Sequence, residues 1–236
     1  MPDNLLGESR GTALKTQSRY ADYFSSGLTK VENYLELGPD VGLVSKTIGE
    51  KFKPKNAVLV EPNQSIYAEL RRNSTSFGNI VITSDENSLP ENANSDLIVG
   101  VHVFDHLIDP VSSLIKLRDS ASDIARIGIV VHDENSIISK LLKTKWPPYC
   151  LQHPQLYNKK TLSRLLEVSG WEVETTSKST NYFHLDNIAT MLLSVLGITL
   201  NLRKVIPHIQ VPIKLGNIIA RGKNSVKNKN PDQFSH

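Results

Sequence analysis

Glu32-Asn-Tyr-Leu-Glu-Leu-Gly-Pro-Asp-Val-Gly42 is the stretch that decides the fold. A β-prone run ends in an acidic residue, Glu36, and a tight loop with Gly38, Pro39, Asp40 and Gly42 follows it. Apolar Val41, Val44, Ile48 and Phe52 then recur at helical spacing. A glycine turn between strand and helix lets a ligand come close to the backbone. Acidic residues around that turn restrict which ligand it can be.

Outward from this unit, short β-rich runs alternate with helical periods. Val31–Leu37, Ala57–Val60, Asn79–Thr83, Asp96–Val101 and Ile127–Val131 read as strands. Helices are predicted over Val41–Phe52, near Gln64–Asn73, and over Val111–Ser120, the last opened by the cap-and-proline pair Asp109-Pro110. Alternating strands and helices imply parallel crossovers, hence a doubly wound α/β sheet. Residues 132–158 break the rhythm with Trp146-Pro147-Pro148 and His153-Pro154, as a lid or insert would. A helix over Lys160–Ser169, a strand over Trp171–Thr176, an apolar helical cap over 186–205 and a last strand over Ile213–Ala220 complete the reading. The expected organisation is a helical extension over 1–30, one domain over 31–222, and a disordered basic tail over 223–236.

The loop excludes two common ligands. A P-loop needs Lys and then Ser or Thr directly after its second glycine, and Gly42 is followed by Leu43 and Val44. A dinucleotide loop needs Gly-x-Gly-x-x-Gly, but Asp40 stands at its second glycine and Leu43 and Val44 follow Gly42. A carboxylate ~5 Å from a pyrophosphate charge costs roughly 3 kcal/mol at an effective dielectric of ~20. The loop therefore suits a cationic ligand without phosphate. Glu61, at the end of the second strand and followed by Pro62, can accept hydrogen bonds from two ribose hydroxyls. Asp85, past the third strand, can receive an adenine amino group.

These motifs, in this order, resemble class I S-adenosylmethionine-dependent methyltransferases over about residues 20–222. Tyr34-Leu-Glu-Leu-Gly-Pro-Asp-Val-Gly42 resembles the family's first motif, with Asp40 in place of its middle glycine. Val60-Glu61-Pro62 matches the ribose-binding acid, and Ser84-Asp85-Glu86-Asn87-Ser88-Leu89-Pro90 resembles the adenine segment. Ser95 through Pro110 resembles the fourth-strand motif, which implicates Gly100, Val101 and His102 beside the methyl donor. The resemblance implies a mostly parallel seven-stranded sheet with helices on both faces and an antiparallel last strand. It also implies S-adenosylmethionine as cofactor and a small-molecule or glycan acceptor, methylated on oxygen or nitrogen. A non-catalytic methyltransferase-like binding module, supported by Asp40, and an NAD(P)-dependent oxidoreductase are the alternatives.

Methyl transfer needs alignment first, and a base only where the acceptor must lose a proton. His153, in the irregular segment, and His132, after the fifth strand, are the candidate bases; Asp133 and His106 are neighbours of interest. His102 and His106 have the spacing of two metal ligands on a helix, but His102 ends a strand, so no metal is expected there. His106 reads as a packing or capping residue.

The composition fits this reading. The 236 residues are 39% hydrophobic and 22% charged, with a net charge of +3, which gives no basis for a nucleic-acid surface. A single cysteine, Cys150, excludes an internal disulfide and fits the cytoplasm. The N-terminal stretch has no signal-peptide pattern, and Met191–Leu202 is too short to span a bilayer. That segment is read as core, as an acceptor tunnel or as a homodimer surface.

Overall fold

The computed structural model describes residues 3–90, 93–195, 197, 198, 206 and 209–225. The chain opens with helix α1 (Asp3–Ser25) and then lays down β1 (Asn33–Leu37), α2 (Leu43–Phe52), β2 (Asn56–Val60), α3 (Tyr67–Asn73) and β3 (Asn79–Thr83). The second half follows with β4 (Ser95–Val101), α4 (Pro110–Asp119), β5 (Ala121–His132), α5 (Ile137–Leu142), α6 (Lys159–Val168) and β6 (Trp171–Lys178). The chain then adds β7 (Asn181–His184), α7 (Leu185–Val195), β8 (Gln210–Ile213) and β9 (Asn217–Asn224).

Seven strands form one sheet in the order β3-β2-β1-β4-β5-β9-β6. The first five are parallel, and β9 runs antiparallel between β5 and β6. The chain winds outward from β1 through β3 and returns to β4 on the other side of β1. This reversal opens a crevice beyond the carboxyl ends of β1 and β4, where ligands bind in such sheets. β7 and β8 form a separate antiparallel ribbon.

Strand alternation assigns side chains to the two faces. Leu35 and Leu37 of β1 join the core under α4 and α6, together with Leu114, Leu162, Leu166 and Trp171. Tyr34 points to the other face and packs with Tyr20, Phe24 and Ile48 from α1 and α2. Glu36 is two residues from Tyr34 and shares its face, so a carboxylate is buried among these helices with 1% exposure. The N-terminal aromatics are packing residues, as expected: Tyr20 and Phe24 are buried. α4 begins on Asp109, whose side chain accepts from the Ser112 N–H at 3.0 Å, with Pro110 in its first turn.

Several boundaries differ from the sequence-based reading. β5 begins at Ala121, six residues before the apolar run, because its polar first half pairs at the start of β4 and with β9. Residues 132–158 contain α5, capped by Ser136, which at six residues is too short to show a period. Ile213–Ala220 is two strands separated at Lys214–Gly216, and β9 runs on to Asn224, so residues 223 and 224 are sheet rather than tail. Residues 226–236 lie outside the described residues. α7 covers Leu185–Val195, and most of the remaining apolar stretch to 205 is likewise outside them. Among the described residues, no helix is long and apolar enough to cross a membrane.

Candidate active site

The crevice at the switch point has a volume of about 540 Å³. Glu36, Gly38, Pro39, Asp40, Glu61, Pro62, Val101 and His102, eight of the residues expected to hold a cofactor, line it. α1 adds Gln17 as part of its wall, and the turn after β4 adds His106. Gly42 and Gly100, also expected to hold the cofactor, are not among its lining residues. Gly42 is the left-handed N-cap of α2, and Gly100 leaves the space that the Phe104 ring fills, 2.6 Å from where a Cβ would stand.

Asp40 adopts a left-handed backbone in the glycine loop. Its φ of 51° lies in the same left-handed region as the 58° of Gly38. Aspartate reaches that region at modest cost because its short polar side chain tolerates it. Gly38 itself has no alternative, since a Cβ there would lie 2.5 Å from Val103 Cγ2. The loop is held from outside: the Asp40 N–H donates to Glu61 Oε2 at 3.0 Å, and the Gly38 N–H to the Val60 carbonyl at 2.8 Å. Glu61 Oε1 accepts from the Asn63 N–H at 2.8 Å. Each Glu61 oxygen keeps a lone pair for a ligand hydroxyl.

Glu36 Oε2 accepts from the Tyr34 hydroxyl at 2.8 Å and from the Ser45 hydroxyl. Burial pushes its pKa up to about 7; these hydrogen bonds pull the other way, and the Glu61 charge adds to the rise. Asp85 stands at the next strand end but is exposed, with its carboxylate turned onto the Asn87 backbone and side-chain amides at 2.9 Å. These contacts hold its pKa below the usual range, the backbone hydrogen bond first. Asp85 is not among the described residues that line the crevice, and the Glu86 side chain lies outside the described residues.

Four histidines meet beyond β4 and β5. The His102 and His132 rings stack with centroids 4.5 Å apart, His153 lies 5.1 Å from His132, and His106 lies 4.5 Å from His153. His102 has a left-handed φ of 55°, a strained conformation of the kind found at functional sites. Asp105, fully buried, accepts the His132 N–H on Oδ2 at 3.2 Å, and the same oxygen is 3.6 Å from His102 Nδ1. Asn217 of β9 bridges the two rings: its Oδ1 accepts from His132 Nδ1 at 3.0 Å, and its Nδ2 donates to His102 Nε2 at 3.2 Å. Burial, helped by the neighbouring His102, lowers the His132 pKa to about 4. His106 is not a helix cap. Its Nδ1 binds the Gln152 carbonyl at 2.8 Å and ties the β4–α4 turn to the segment over residues 132–158. His153 Nδ1 binds the Pro148 carbonyl at 3.0 Å, which leaves Nε2 bare. Asp133 is a turn former, its Oδ1 accepting from the Asn135 N–H at 3.0 Å.

Behind the histidines lies a second pocket of about 420 Å³. Leu142, Trp146, Pro148, Phe183, Ile188 and Leu215 wall it, with His132 and Asn217 among its few polar groups. Sequence reasoning missed Asp105 and Asn217. Nothing in Phe104-Asp105-His106 marks a buried carboxylate, and Asn217 lies 85 residues from its partner His132.

A doubly wound sheet of this order, with a carboxylate-lined crevice at its switch point, is a nucleoside-binding architecture. Residues 13–176 match the family model described as a methyltransferase domain, and the chain belongs to that family, the class I S-adenosylmethionine-dependent methyltransferases. Solved structures agree on the fold. A methyltransferase of Haloferax volcanii, solved with a methyltransferase activator, superposes with a TM-score of 0.67 at 11% identity, covering 92% of this chain and 93% of the other. Magnesium protoporphyrin IX methyltransferase of Synechocystis, with bound SAH (the demethylated cofactor), gives 0.61 at 11% identity, covering 95% and 89%. An S-adenosylmethionine-dependent methyltransferase of Mesorhizobium loti gives 0.59 at 12% identity, covering 89% and 100%. No curated protein matches the chain. The cofactor is S-adenosylmethionine.

Proposed function

We propose that the chain transfers the methyl group of S-adenosylmethionine to a hydroxyl on a small acceptor with an apolar body. The observation that carries this reading is the histidine cluster, which stands where the cofactor crevice and the apolar pocket adjoin: His102 lines the first and His132 the second. Glu61 binds the ribose hydroxyls, the loop from Gly38 to Gly42 receives the methionine part, and Glu36 faces its positive charge. An acceptor enters the pocket beside Trp146 and turns its hydroxyl toward the histidines. His153 takes the proton on Nε2. His132, with a pKa of about 4, is too weak a base for that task and orients the acceptor oxygen instead. A bare glycan, with hydroxyls all round, would find few partners among these walls. The extension over residues 1–30 closes the crevice through Gln17. The exposed Cys150 suits a reducing compartment such as the cytoplasm.

The non-catalytic alternative is the weaker reading, since Asp40 takes a left-handed backbone that a glycine would also readily adopt. The test is twofold. SAH should raise the unfolding temperature and NAD should not. A labelled methyl group from S-adenosylmethionine should then appear on phenols or apolar alcohols before it appears on free sugars. Stabilisation by NAD alone, or SAH binding without turnover on any hydroxyl compound, would sink the proposal.

Cofactor affinity should also depend on pH. The free-state pKa of Glu36 is about 7, and a sulfonium or ammonium nearby favours the charged carboxylate. Above pH 7 Glu36 is already ionised and nothing is linked. Below pH 7 binding expels its proton, so affinity falls by up to about tenfold per pH unit. Calorimetry at pH 6 in two buffers of different ionisation enthalpy measures the released proton. Equal apparent enthalpies would remove Glu36 from this role.

A further inference from the structure

We propose that His102, Asp105 and His132 form a divalent transition-metal site between the cofactor crevice and the apolar pocket. The inference rests on the hydroxyl-methylation reading for its purpose but not for its geometry. One ligand atom from each of the three residues lies within 4.8 Å of the others. Asp105 Oδ2 is 3.6 Å from His102 Nδ1 and 4.0 Å from His132 Nε2. A tetrahedral ion at about 2.0–2.1 Å from each donor needs them roughly 3.4 Å apart, so small ring rotations close the site.

Two further observations point to a ligand. Asp105 Oδ1 and His102 Nδ1 are buried and have no hydrogen-bond partner among the described residues, although buried polar atoms are nearly always satisfied. Asp105 has 0% exposure, and its ion-pair partners among the described residues are these two histidines, with no lysine or arginine. A buried carboxylate without a fixed cation is costly, and a divalent ion would compensate it. Two imidazoles and one carboxylate suit Zn²⁺, Co²⁺, Ni²⁺ or Fe²⁺ better than Mg²⁺.

Asn217 prepares one ligand and constrains the other. Its oxygen holds the His132 Nδ1–H and leaves Nε2 free for an ion, as an orienting hydrogen bond behind a metal ligand does. Its amide nitrogen faces His102 Nε2 and places that ring's proton on Nδ1 in the metal-free chain. Loading moves this proton to Nε2 and turns the Asn217 oxygen to serve both rings.

With the ion in place His132 would orient the acceptor through it, the ion binding the acceptor oxygen and lowering the pKa of its hydroxyl. The O–H bond then breaks, with the proton passing to His153 Nε2. The oxygen lone pair attacks the methyl carbon, and the carbon–sulfur pair returns to sulfur, leaving a methyl ether and SAH. His153 is not one of the three clustered residues and stays free as base.

The test uses the chelator-stripped full chain, titrated with Zn²⁺ by calorimetry and with Co²⁺ by visible absorption, without acceptor or cofactor. One ion per chain is expected, with a Co²⁺ ligand-field band, and a large excess of Mg²⁺ should not displace it. His132→Gln and Asp105→Asn should each weaken binding at least tenfold, with SAH affinity measured in parallel to show that the fold is intact. If Asp105→Asn does not bind SAH, His132→Gln decides alone. No uptake by the wild-type chain, or a change of less than threefold in the folded variants, overturns the site. Metal uptake without any methyl transfer would instead count against the activity and leave the site standing.

Discussion

Replacing His153 by alanine is expected to lower kcat about 10²–10⁴-fold, the range for loss of a general base, while the dissociation constant of SAH stays within twofold. The asymmetry follows from its position. His153 is not among the residues that line the cofactor crevice, yet its ring is within 5.1 Å of His132, which opens on the apolar pocket. Its tautomer is set by the Pro148 carbonyl, so the proton-accepting nitrogen faces away from the lid backbone. Only an acceptor that must lose a proton feels this loss, so an amine acceptor already neutral at high pH would be methylated almost as fast by the variant. That contrast between hydroxyl and amine acceptors separates a base from a packing residue. A kcat within threefold of wild type on a hydroxyl acceptor would remove His153 from the chemistry.

The histidines show how far the sequence can be read. The sheet was legible because strand and helix periods are local properties, and five apolar runs alternating with helical patterns leave few topologies. The cofactor crevice was legible for the same reason: Glu36, the glycine loop and Glu61 sit at the ends of consecutive strands, and parallel pairing brings such ends together. Even Asp40, the departure from the expected pattern, proved a question of backbone conformation, answered by a φ of 51°. The histidine cluster and the apolar pocket behind it were less legible. They are built from β4, β5, β9, residues 132–158 and the β7–β8 ribbon, whose contacts are set by tertiary packing. Asn217 joins His102 across 115 residues, and no local rule pairs them. Asp85 marks the opposite case. Strand order places it at the right edge, but its side chain closes on Asn87 and turns away from the crevice.

Glu61→Ala is expected to weaken SAH binding by about 1–3 kcal/mol, roughly 5- to 150-fold, through lost charge-assisted hydrogen bonds. Two tasks are assigned to this residue. In the proposed function it offers a lone pair on each oxygen to the ribose, and in the structure it holds the glycine loop through the Asp40 N–H and its own turn through the Asn63 N–H. Alanine removes both, leaving two backbone donors without their partner and a left-handed aspartate without its tether. Glu61→Gln keeps the shape and one acceptor oxygen but turns an amide N–H₂ toward one of the two backbone donors. Glutamine should therefore recover little of the loss, whereas a role limited to filling space would be restored by it. Calorimetric titration of both variants with SAH decides the matter. Wild-type affinity in the alanine variant would mean that the ribose is held elsewhere, and full rescue by glutamine would mean that the charge and the loop tether are both dispensable.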